Sequence, residues 1–137
     1  SLTVGPSHEP GLSRMTIVVD APELEQVKKQ LHKLVNVVKI SELEKGQSIE
    51  REIVLVRVNA QPARRQELLS LASIFDATAV DVGPNSIAFQ VVGKPEKIND
   101  FLDLVRPYGV VDLAKSGWVA IARETKGRGA VTLRAVN

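Results

Sequence analysis

The chain of 137 residues contains no cysteine. That excludes disulfides, thiolate nucleophiles and cysteine-ligated zinc, and it suits a reducing compartment such as the cytoplasm. Aromatic residues are almost as scarce, with three Phe, one Tyr and one Trp in the whole sequence. Two of them, Phe75 and Phe101, fall on the apolar stripes of expected helices. No strand carries the basic, glycine and aromatic pattern with which RNA-recognition sheets stack bases. Nowhere do eighteen apolar residues run together, and no basic segment leads into a short apolar one, so neither a membrane span nor a signal peptide is expected. A dominant charge is lacking too. The net +2 comes from the last stretch, where Lys115, Arg123, Lys126, Arg128 and Arg134 stand against Glu124 alone. The body before it is slightly acidic and offers no continuous footprint for a nucleic acid. The expectation is a soluble, cytoplasmic protein with no nucleic-acid or membrane partner.

The side chains of catalysis are equally sparse. His8 falls in a turn and His32 on a lysine-rich helix face, neither with a third ligand or a base at useful spacing, so no metal site is expected. Lys126-Gly127-Arg128-Gly129 has the composition of a phosphate loop but lacks its spacing and its Lys-Ser/Thr ending. Glu50 and Glu52 share one strand face, where the start of a strand offers no pocket to raise a carboxyl pKa, and both are expected to face solvent, with an interface role as the alternative. No catalytic residue and no cofactor of its own is assigned to the chain.

What the sequence does hold is apolar content, 44% of its residues, arranged in a weak internal repeat. Pro22-Glu23 matches Pro95-Glu96, Leu31 matches Leu104, and Val37-Val38-x-Ile40 matches Val110-Val111-x-Leu113. Each copy has a strand, a helix opened by proline, where a missing N–H costs nothing, and a second strand. The first helix buries Leu24, Val27, Leu31 and Leu34, and the second Ile98, Phe101, Leu102 and Val105. Ahead of the second copy come a strand with Val54, Val56 and Val58 on its helix-covered face, and a helix over Pro62–Phe75 burying Leu68, Leu71, Ala72 and Phe75. Gly83-Pro84-Asn85-Ser86 then reads as a hairpin turn. The second copy therefore spells strand, helix, strand, strand, helix, strand, the ferredoxin-like order. The first copy has only the last four of these elements. Its absent first strand would lie between the third and fourth, and the gap must be filled by upstream residues, by a strand of another chain, or by the strand-like tail Ala130–Val136. The polar run Glu42–Ser48 divides the chain into residues 1–45, residues 46–124 and a basic tail, 125–137. The fold class is α+β, two ferredoxin-like units with the first incomplete at its N-terminal side. Trp118, after Ser116-Gly117, is read as packing under the tail, with a partner-binding anchor as the alternative.

Several strings, taken together, closely resemble the small regulatory subunits of acetolactate synthase (acetohydroxyacid synthase). They are Ser1-Leu2-Thr3-Val4-Gly5, Leu12-Ser13-Arg14-Met15-Thr16-Ile17, Gln30-Leu31-His32-Lys33-Leu34-Val35, Ile49-Glu50-Arg51-Glu52, Ser73-Ile74-Phe75 and Ser116-Gly117-x-x-Ala120-x-x-Arg123. The resemblance runs from Ser1 to about Glu124. Asp76 departs from it, since the family more often carries a basic residue there. The resemblance implies an ACT domain, a βαββαβ module that binds small amino acids at a dimer interface, followed by a second ferredoxin-like domain. It implies a non-catalytic subunit that activates a thiamine-diphosphate-dependent catalytic subunit in branched-chain amino-acid biosynthesis and mediates feedback inhibition by valine. Thiamine, magnesium and flavin would belong to that partner. The family's effector grip on the first strand and helix of the ACT domain has no counterpart in these residues. The resemblance leaves Thr3 to shape the side-chain pocket, Gly5 to permit close backbone approach and Gln26 to offer an amide, in a homodimer or higher oligomer. The alternative is a ferredoxin-like oligomerisation module without a ligand, suggested by Ile53 and Leu55 on the face opposite Val54, Val56 and Val58.

Overall fold

A computed structural model describes residues 1–124 and 134–136. Along the chain these form β1 (Leu2–Pro6), β2 (Leu12–Ile17), α1 (Ala21–His32), β3 (Val37–Lys39), β4 (Ser48–Asn59), α2 (Pro62–Ile74), β5 (Thr78–Val82), β6 (Ser86–Gly93), α3 (Pro95–Val105), a 3-10 turn (Arg106–Tyr108), β7 (Val110–Lys115), β8 (Val119–Ala122) and β9 (Arg134–Val136). The chain divides into two compact units. Unit 1 is Ser1–Glu50 with the described part of Gly117–Asn137, and unit 2 is Arg51–Ser116. The division therefore falls after Glu50 rather than at 45, and residues 117–124 group with unit 1. Hydrogen bonds explain that grouping: the Trp118 N–H donates to the Ser1 side-chain Oγ at 3.2 Å, and the Arg123 N–H to the Gln47 carbonyl at 3.0 Å. The strand β8, which the sequence did not announce, pairs with β4.

Unit 2 has the expected ferredoxin-like order, with its strands arranged β5-β6-β4-β7. Every buried apolar side chain among the described residues belongs to it. Val54, Val56 and Val58 alternate inward along β4, as a period of two requires, and meet Ile87, Phe89 and Val91 of β6. Over them α3 buries Ile98, Phe101, Leu102 and Val105, and α2 buries Leu68 and Ala72. The Phe101 ring lies 6.1 Å from Phe89, edge-on, and 5.5 Å from Phe75, the separations aromatic quadrupoles favour. The hairpin turn is held from outside by Arg65. Its guanidinium donates to the carbonyls of Ala60 (2.9 Å), Gly83 (2.7 Å) and Pro84 (3.0 Å) and so fastens the start of α2 to the β5–β6 turn. Gly109, at φ +98°, ends the 3-10 turn. Asp76, at φ +53°, ends the α2 region, a left-handed position that Asp accepts better than most side chains.

One sequence expectation is reversed in this strand. Glu52 is only 5% exposed and Glu50 is half-buried, so neither simply faces solvent. The cause is parity: both stand on the same side of β4 as Val54 and Val56.

Unit 1 shows where the tail goes. Its sheet runs β1-β2-β9-β3, with β9 antiparallel to both neighbours: Ala135 stands opposite Ser13 of β2 and opposite Val37 of β3. Of the three candidates for the gap, the tail itself supplies the strand, through Arg134–Val136. The rest of the proposed tail strand, and Lys126-Gly127-Arg128-Gly129, lie outside the described residues. By order, β1, β2, α1 and β3 correspond to β5, β6, α3 and β7, and β9 stands where β4 stands in unit 2. No described helix of unit 1 corresponds to α2. The consequence is an open core: α1 buries no residue completely, and Leu34, expected on its inner stripe, is 54% exposed. The Asp20 side chain makes no capping bond at the start of α1. The following strand is short, Val37–Lys39.

Candidate functional site

Thr3 and Gly5 lie two residues apart on β1 and so share a face of the sheet. Thr3 stands opposite Thr16 and Gly5 opposite Arg14. Since β1 is an edge strand, one row of its backbone groups is left for a further partner. A Cβ built on Gly5 would meet no atom within 4 Å, so the backbone there borders open space. Gln26 is on α1 and exposed. The structure thus brings Thr3 and Gly5 together on one strand and places Gln26 on a separate element.

The sequence strings did not reveal what lies over Thr3. Gly117 has φ +82°, and a Cβ on it would stand 2.5 Å from Thr3 Oγ1 and 3.0 Å from Ser1 Oγ. Both the backbone conformation and the close approach demand glycine there. Beyond it, Arg14 Nη2 donates to the Ala120 carbonyl at 2.6 Å. Segment 117–120 is thereby fastened to β1 and β2 at residues that lie side by side on one sheet face. The Ser-Gly dipeptide was the available signal, but it marks a turn without saying what the turn touches.

The same unit contains a cavity of about 230 Å³ beside α1. Met15 and Ile17 of β2, Leu24, Val27 and Leu31 of α1, and Trp118 supply its apolar wall, while Arg14, Lys28, Glu42 and Glu50 bring charge to it. Trp118 is therefore part of this wall. None of Thr3, Gly5 and Gln26 lines it. Lys28 bridges Glu42 at 3.1 Å and Glu25 at 3.4 Å, and the hydrogen bond to Glu42, then that to Glu25, raises its pKa above the ordinary lysine value. The Ser41 hydroxyl, also at the cavity, is a buried side-chain oxygen without a hydrogen-bond partner.

His8 and His32 are both exposed, and no group of three or more His, Cys, Asp or Glu residues placed to hold a metal occurs among the described residues. No described helix is long and apolar enough to cross a membrane.

The chain is an α+β protein of two ferredoxin-like units, one closed around a core and one with an open core beside α1. Comparison with known proteins narrows the class. Residues 51–124 match the family described as the small subunit of acetolactate synthase, and residues 1–39 match the ACT domain of acetohydroxyacid synthase small subunits. The chain is 46% identical to the probable acetolactate synthase small subunit of Archaeoglobus fulgidus, over 92% of this chain and 80% of that protein. It is 42% identical to the acetolactate synthase small subunit of Mycolicibacterium smegmatis, over 95% and 78% respectively. The solved acetolactate synthase small subunit of Thermotoga maritima superposes with a TM-score of 0.79 at 34% identity, over 90% of this chain and 79% of that one. The chain belongs to the acetolactate synthase small-subunit family.

Proposed function

We propose that this chain is a non-catalytic regulatory subunit of acetolactate synthase. In this reading it activates a thiamine-diphosphate-dependent catalytic subunit in the cytoplasm and carries feedback inhibition by valine, the end product of branched-chain amino-acid synthesis. It holds no cofactor itself; thiamine, magnesium and flavin reside in the partner. The observation that carries the reading is β1. An edge strand with Thr3 and Gly5 on one face, bordered by open space at Gly5, suits both a small amino acid and a second copy of the chain. A hydroxyl and a bare backbone can meet the ligand's polar end, and strand addition across the edge is a common mode of pairing. Gln26 would reach the ligand from α1 or from the second copy.

Effector and partner binding are coupled reciprocally in such a subunit. The test is reconstitution with the catalytic subunit, with and without valine, beside calorimetric titration of valine, leucine and isoleucine into this chain. Raised activity that valine reverses, with selective and saturable valine binding, is the expected result. Unchanged activity on adding the chain would overturn the regulatory reading.

A second reading, oligomerisation without a ligand, draws support from unit 2. Ile53 and Val92 stand opposite each other and share a face with Leu55, and the three are 37%, 49% and 48% exposed, an apolar patch on the side of the sheet away from the helices. A monodisperse monomer in light scattering would count against it.

A further inference from the structure

The chain passes between its two units at two places, Glu50–Arg51 and Ser116–Gly117. The first passage lies inside β4, which begins in unit 1 and ends in unit 2. The second is a dipeptide whose halves are held by different units. Ser116 is tied twice to β4 within unit 2: its N–H donates to the Ile53 carbonyl at 3.0 Å, and its Oγ accepts from the Ile53 N–H at 3.0 Å. Gly117 belongs to unit 1 and lies against Thr3 Oγ1. The paired strands also lose step here. Lys115 stands opposite Val54 and Ser116 bonds Ile53, but the Arg123 N–H reaches Gln47. From Ser116 to Arg123 the chain advances seven residues, while β4 runs back six, from Ile53 to Gln47. One extra residue beside a left-handed glycine makes a bulge, and glycine enters and leaves that conformation at little cost.

The bulged segment touches the candidate site at two points. Thr3 meets Gly117, and Gly5 stands opposite Arg14, whose guanidinium holds the Ala120 carbonyl. We propose that Ser116-Gly117 is a two-position relay through which a small amino acid bound on β1 acts on unit 2. Seated, the turn rests on Thr3 and Ser116 keeps both bonds to Ile53. Lifted, it leaves Thr3 and loosens them. A hydroxyl has one proton to give and two lone pairs to receive, so a ligand can engage Thr3 while the side chain stays under the turn. That fixes the Thr3 rotamer and favours the seated position. The change enters unit 2 at Ile53, whose side chain belongs to the exposed apolar patch with Leu55 and Val92. For its ligand the inference rests on effector binding at β1, but the connection from Thr3 to Ile53 can be measured without one.

Amide hydrogen exchange of the full chain, read residue by residue by NMR, tests it. Thr3→Ala removes the atom on which the turn rests. It should speed exchange of the Ser116 and Ile53 amides about fivefold, the low end of ordinary coupling between sites, although both residues belong to unit 2. Val4→Ala changes the next residue of β1, on the opposite face of the strand, and should leave the two amides unmoved. Saturating valine should slow both in the native chain. The relay is overturned if Thr3→Ala leaves them unchanged, or if Val4→Ala moves them as much. Valine that binds in calorimetry without slowing them overturns it as well. Valine that does not bind, with the Thr3→Ala effect present, would overturn the effector reading alone and support the connection.

Discussion

Replacing Gly117 by alanine isolates the contact between the Ser-Gly turn and the candidate site. At φ +82° an L-residue is held in the left-handed region, which costs roughly 1–2 kcal/mol. The added methyl would also stand 2.5 Å from Thr3 Oγ1, a separation that Cβ atoms do not tolerate. Thr3 can relieve it by leaving its rotamer, at about 0.5–1.5 kcal/mol. Gly117→Ala should therefore destabilise unit 1 by about 1.5–3.5 kcal/mol, the sum of these two effects. The single tryptophan of the chain is the next residue, so urea unfolding followed by Trp118 fluorescence reads the event locally. The steric share can be separated from the backbone share by a double-mutant cycle with Thr3→Ala. Removing the hydroxyl should return about 0.5–1.5 kcal/mol in the Gly117→Ala background. A loss below about 0.5 kcal/mol for Gly117→Ala, within the range of ordinary surface substitutions, would refute the placement of the turn. A cycle with no coupling would refute its contact with Thr3.

Three further outcomes are expected. The Tyr108 hydroxyl donates to Glu67, and this bond, with a lesser desolvation effect, raises the tyrosine pKa above its ordinary value. The stability it lends is complete below the unfolded-state pKa of about 10 and is lost as pH rises through the higher folded-state value. Phenolate absorbance should accordingly appear later than for free tyrosine, and Glu67→Gln should move its midpoint down; an unmoved midpoint would refute the bond. Phe101→Ala opens the aromatic cluster with Phe75 and Phe89 and should cost about 3–5 kcal/mol in urea unfolding followed by circular dichroism; less than about 1 kcal/mol would place Phe101 outside the core, since most substitutions cost about that much. Arg65→Lys keeps the charge but loses the fork that holds three carbonyls, and should cost about 1–2 kcal/mol in thermal unfolding. An unshifted transition would mean that the β5–β6 turn holds without it.

Unit 2 was legible because its elements are separated by strong local signals. Proline opens each helix, the period of two on Val54, Val56 and Val58 sets the inner face, and Gly83-Pro84-Asn85-Ser86 makes the turn. Each depends on residues near in sequence. The burial of Glu52 was misjudged because its polarity outweighed its parity, although parity decides which way a strand side chain points. In unit 1 the contacts that matter join distant residues: Trp118 to Ser1, Arg14 to Ala120, Gly117 against Thr3. No local pattern encodes such pairs. The strand β8 was missed for the same reason, since four residues acquire their character only from the neighbour they pair with.

By itself, the sequence determined the order of strands and helices in unit 2, the ferredoxin-like class of that unit, the inward face of its central strand and the family resemblance carried by short strings. All of these follow from periodicity and backbone preference, which act over a few residues. Only the tertiary structure decided that Arg134–Val136 enters between β2 and β3, that residues 117–124 group with unit 1, and that unit 1 is left with an open core beside α1. Those outcomes are set by which backbone edges and apolar faces remain unsatisfied once the local elements have formed, a property of the assembled chain that no single segment contains.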